Sequence, residues 1–151
     1  MARFSFRLQP FLNLKEMMEK NIKNELGIAV QKYQQQLLVL SEIREEIDIQ
    51  QQEFRKEGIS LTTPLKLRQR MEYIKVVQNR EKVQIERVNE EKRNVDKIRK
   101  RLMETMKEKK ILEKLKERQL DEFKKEQEKK QQLLVDEIVS FKETVTPQNE
   151  A

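Results

Sequence analysis

The chain has 151 residues, of which 40% are charged and 36% hydrophobic, with a formal net charge of +6, two Gly, three Pro and no His, Cys or Trp. With a mean hydropathy of −0.93, it is too polar for one compact core and has the composition of long helices and coiled coils. The lack of His and Cys removes the commonest general base, the thiol nucleophile and the usual zinc ligands. Gly27 and Gly58 lie 31 positions apart, so no phosphate-cradling glycine loop can be drawn. Enzyme, cofactor and metal classes are set aside.

The opening stretch, MARFSFRLQPFLNLK, carries two Arg and one Lys before its first acid, Glu16. It reads as an amphipathic first turn, with a membrane anchor or organellar presequence as the alternative. A first helix is expected over about residues 10–57, where Pro10 is tolerated in the first turn because its missing N–H has no helical acceptor there. EGISLTTP, residues 57–64, is the strong internal punctuation. Gly58 suits a left-handed helix stop, and Thr63 with Pro64 forms an N-cap and first-turn pair. A second helix follows to about residue 143, and 144–151, with Pro147, is expected to be a disordered tail. At 1.5 Å per residue the helices would measure roughly 70 and 120 Å. The expected architecture is all-α: a single elongated domain over 1–151, in which two long helices form an antiparallel coiled-coil hairpin, the C-terminal one longer, with the turn at 58–63. No apolar run approaches the roughly 20 residues that span a bilayer, and no signal-like h-region follows the start, so a cytoplasmic protein is expected.

Stepping alternately by three and four gives, in the first helix, Ile22, Leu26, Ala29, Tyr33, Gln36, Leu40, Ile43, Ile47, Gln50 and Phe54, a nearly continuous coiled-coil stripe. In the second it gives Leu67, Met71, Ile74, Gln78, Glu81, Ile85, Val88, Lys92, Val95, Arg99, Leu102 and Met106, interrupted by four polar residues. Folding back near position 60 joins residues whose numbers total about 121. Leu26 then faces Val95, Ile47 faces Ile74, and Gln36 faces Ile85. Every polar residue of either stripe meets an apolar or small one. Past the layer of Leu8 and Glu113 the second helix has no partner, so about 30 of its residues are expected to project, with Leu120, Phe123, Leu134 and Phe141 continuing a thin apolar seam.

Charge is uneven. Residues 92–110 hold nine basic and three acidic side chains, enough to neutralise phosphates or an acidic surface. Interspersed acids, two Tyr, no Trp and no zipper after the basic run argue against nucleic acid. A solvated coiled-coil face accounts for most of the pattern, and an acidic protein partner fits it better than nucleic acid does.

Two stretches resemble a known family. FSFRLQPFLNLKEMME is similar to the aromatic, basic, then Leu-rich opening of the flagellar FliJ proteins, and KKILEKLKERQLDEFKKEQEKKQQLLVDEI to their C-terminal run. The resemblance implies a non-catalytic coiled-coil stalk and chaperone escort of the flagellar type III export apparatus. Its implied partners are the hexameric export ATPase (FliI-like), the export gate protein (FlhA-like) and export-substrate chaperones, with no small-molecule substrate, no cofactor and only peripheral membrane association through partners. Carried onto this chain, Phe4, Phe6, Leu8, Phe11, Leu112, Leu115, Leu120 and Phe123 would face the ATPase ring, and Tyr73, Ile74 and Val77 the gate. Each of these also reads as ordinary seam packing. The rival from another class is a generic coiled-coil scaffold, for instance a homodimer pairing two copies of the second helix.

Overall fold

The computed structural model describes residues 2–57 and 63–145, and these form two helices, α1 (Gln9–Glu57, 49 residues) and α2 (Pro64–Val145, 82 residues). The fold is all-α, with α2 the longer helix. Pro10 is the second residue of α1, where its absent N–H removes no hydrogen bond, and the helix opens on Gln9 N–H to Phe6 O and Leu12 N–H to Leu8 O, both 3.1 Å. At the start of α2 the Thr63 hydroxyl accepts from Lys66 N–H at 3.4 Å and its carbonyl from Leu67 N–H at 3.1 Å. That is the N-cap expected of Thr63-Pro64. The helix stop assigned to Gly58 lies outside the described residues, as do residues 146–151 with Pro147. Thr144 and Val145, expected in the tail, close α2 as helix.

The chain packs as two units. One comprises Met18–Glu104, and the other joins the chain up to Met17 with the chain from Thr105 on. In the Met18–Glu104 unit the helices run antiparallel: Arg101 pairs with Glu25 at 3.1 Å, Gln84 bonds Gln36, and Arg70 grips the Glu57 carboxylate with two hydrogen bonds of 2.6 and 3.2 Å. The core gathers Ile22, Ala29, Val95 and Ile98 with Leu26, Val30, Tyr33 and Leu102 packed against them. Farther along, Leu40, Val77 and Val88 are buried. All ten stripe positions expected in α1, Ile22 to Phe54, are buried or half-buried.

The α2 stripe differs from expectation in phase. Leu67, Ile74, Glu81, Val88, Val95 and Leu102 are covered as expected, but Met71, Gln78, Lys92, Arg99 and Met106 are exposed. Their places are taken by Arg70, Val77, Glu91, Ile98 and Thr105, one residue earlier. From Leu67 the structure steps by three and then four, where the expectation stepped by four and then three. Both patterns share every second residue, and α2 carries apolar side chains on both flanks of that shared column. The lateral position of α1 selects the flank bearing Val77 and Ile98.

The same shift overturns the expectation that no layer is polar on both sides. Gln84 is 3% exposed and its Nε2 donates to Gln36 O at 2.9 Å and Gln36 Oε1 at 2.7 Å, with Ile85 beside it only half-buried. A buried amide is tolerated because its N–H groups are satisfied in place.

Candidate docking surfaces

In the unit formed by the two ends of the chain, Phe6, Leu12 and Thr105 are buried, and Lys15 forms an ion pair with Glu108. Residues 2–6 precede the helix, and this governs how far they reach. A non-helical chain advances up to about 3.3 Å per residue against 1.5 Å in a helix. Phe6 to Gln9 close a hydrogen-bonded turn, so four residues back from Leu8 cover at most about 13 Å, the length of at most roughly nine residues of α2. Counted from Glu113, the expected partner of Leu8, that limit falls beside Phe123. The rings do meet there, with centroids 5.7 Å apart and planes tilted by 52°, a favourable aromatic geometry.

Of the roughly 30 residues expected to project past Glu113, those up to Gln127 are therefore not bare helix. Leu112, Leu115, Lys116, Gln119, Leu120, Phe123 and Gln127 form a half-buried face. Exposure along the whole turn of the helix begins only at residue 128.

Of the eight residues carried over as ring-facing, all lie in this unit. Phe6 is internal at 6% exposure, Phe4, Leu8, Leu112, Leu115, Leu120 and Phe123 are half-buried, and Phe11 points out at 57%. Leu14, Met17, Met106 and Ile111 are exposed in the same unit. Leu14, Met17 and Ile111 fall off the three-four stripe, while Met106 lies on the expected stripe but outside the observed seam, and Phe11, Leu14 and Met17 recur at i, i+3 and i+6, an outward column on α1.

Of the three gate-facing residues, Tyr73 is exposed, Ile74 half-buried and Val77 fully internal at 1%. The Tyr73 hydroxyl donates to Glu46 on α1. That hydrogen bond and the Glu46 charge raise the Tyr73 pKa above 10.0, partly opposed by Arg80. Beside them an open groove of about 490 Å³ runs between the helices, lined by Val39, Ile43, Val76 and Val83 with Arg80 and Arg87 at its edge. Its sequence signal was the pair Val76 and Val83, seven apart and off the seam. In the basic run 92–110, Arg101 pairs with Glu25, Arg99 lies 4.0 Å from Asp96, and Lys109 lies 3.7 Å from Glu113.

Among the described residues no group of His, Cys, Asp and Glu is placed to hold a metal ion, and no helix is long and apolar enough to cross a membrane. Fold and surface together define a two-helix coiled coil that presents large apolar side chains to solvent in each of its units. The family model described as "Flagellar FliJ protein" matches residues 4–143, and the chain belongs to that family. It is accordingly a flagellar export-related protein. No curated protein and no solved structure matches the chain significantly.

Proposed function

We propose that the protein is a non-catalytic coiled-coil stalk and chaperone escort of the flagellar type III export apparatus, acting on the cytoplasmic side of the membrane. The observation that carries this reading, given the family, is the unit in which Phe4 meets Phe123 of α2 and Phe6 is buried while Phe11, Leu14, Met17, Met106 and Ile111 remain outside. A folded end with exposed apolar side chains is suited to enter or cap the ring of the export ATPase, because burying them there releases water from surface already rigidly held. Phe6 and the half-buried leucines set the shape of that end, and Phe11 and Ile111 make the contact. Near the turn, Tyr73 is the gate-facing side chain available at the surface, with Ile74 and Val77 supporting it from within. Two helices offer unlike faces to a six-fold ring, so only some subunits are engaged at once, and that asymmetry relays ATPase state to the gate.

The test is co-purification with the host's flagellar export ATPase, with the hydrolysis rate measured with and without this protein. Binding and a changed rate are expected, both weakened by Phe11→Ala and Ile111→Ala, two exposed positions whose truncation leaves the fold intact. An ATPase that neither binds nor responds removes the basis of the reading.

A further inference from the structure

Residues 3 to 7, Arg-Phe-Ser-Phe-Arg, alternate in both chemistry and burial. Arg3, Ser5 and Arg7 are exposed, Phe4 is half-buried and Phe6 is buried. A period of two belongs to an extended chain lying with one face against a surface. The contact of Phe4 with Phe123 identifies that surface as α2. Because α1 begins only at Gln9, the chain's start is what lies over α2 at Phe123.

The fastening of this segment is uneven. Phe6 is buried, and its carbonyl accepts from Gln9 N–H at 3.1 Å, which anchors it to the first turn of α1. Among the described residues, the backbone of residues 2–5 makes no hydrogen bond to the rest of the protein, and neither Arg3 nor Arg7 forms an ion pair. Their polar groups are satisfied by water, so a single ring, that of Phe4, holds residues 2–5 down. Few backbone hydrogen bonds and few apolar contacts are the marks of a segment that opens locally. Beneath it lie Phe123 and, one turn earlier on the same face, Leu120, both half-buried.

We propose that residues 2–5 are a removable strap over part of the α2 face that docks on the export ATPase. Closed, the strap shields Phe123 and Leu120. On docking it lifts about the Phe6 anchor, and apolar side chains of the ring take the place of Phe4. The proposal rests on the export reading and adds a covered contact to the open one of Phe11 and Ile111. Strap and ring compete for one surface, so the apparent dissociation constant is the intrinsic one divided by the fraction of chains with the strap open.

The test is titration of the export ATPase with the full chain. Phe4→Ala should lower the dissociation constant at least about threefold with helical circular dichroism unchanged, whereas Phe123→Ala should raise it. The chain has no cysteine, so Arg3→Cys with Lys124→Cys, exposed neighbours of the two rings, allows the strap to be locked with a bismaleimide. The bridged chain should bind at least about tenfold more weakly than the same double variant capped with N-ethylmaleimide. A bridged chain that binds as well as the capped one, or a Phe4→Ala chain that binds more weakly than the parent, overturns the strap and leaves the export reading standing. An ATPase that binds no version, parent included, overturns both.

Discussion

Val77 is the most completely buried large side chain among the described residues, 1% exposed, while Gln78, the residue that a simple heptad count places in the seam, is exposed. The two make a paired test of the phase of α2. Val77→Ala removes two carbon groups from a closed site. At about 0.8 kcal/mol each, with a modest cavity contribution, the cost is about 2 kcal/mol. Gln78→Ala deletes a solvated side chain and should stay within about 0.5 kcal/mol. Urea unfolding followed by circular dichroism at the helix band reads the difference as a shift of the midpoint at constant slope. In a thermal melt about 2 kcal/mol corresponds to roughly 4–8 °C for a chain of this size. Ile98→Ala against Arg99→Ala repeats the comparison three heptads away, with the same ordering expected. If Gln78→Ala costs as much as Val77→Ala, α2 presents its other flank to α1 and the account of the seam fails. Val77→Ala should also weaken gate binding only in proportion to the fold it loses.

Gly27 sits in the interior of α1 with nothing within 4 Å of an added Cβ, so Gly27→Ala should stabilise the chain by about 0.5–1 kcal/mol in the same urea assay. Phe4→Ala should free the segment before α1 and speed amide exchange at Leu12 and along Leu112 to Phe123, with little change in the Met18–Glu104 unit. The raised pKa of Tyr73 means the folded state keeps the phenol proton longer than the unfolded state. The stability this contributes is complete below about pH 10 and is lost as pH rises from there through the folded-state pKa. Tyr73→Phe should remove that part of the alkaline slope, and phenolate absorbance in a Tyr33→Phe background should show Tyr73 titrating above pH 10.

Composition, the single turn signal and the heptad of the first helix were enough to read two helices meeting in antiparallel order. Each rests on local physics: propensity, the Thr63 cap, and an α1 stripe whose flanks are too polar to compete with it. The resemblance in the opening and closing stretches pointed to the family that the chain belongs to. Two things were not legible. The phase of α2 depends on which of two nearly equivalent flanks lies under α1, a choice between Met71, Ile85 and Met106 on one side and Val77 and Ile98 on the other. The extent of bare helix depended on residues 2–6 preceding the helix. At more than twice the rise per residue they reach Phe123, where a helical count would have stopped several residues short. The candidate docking residues sort the same way: sequence and family singled out the aromatic and leucine positions. Only packing separated Phe11 and Tyr73, which face solvent, from Phe6 and Val77, which hold the helices together.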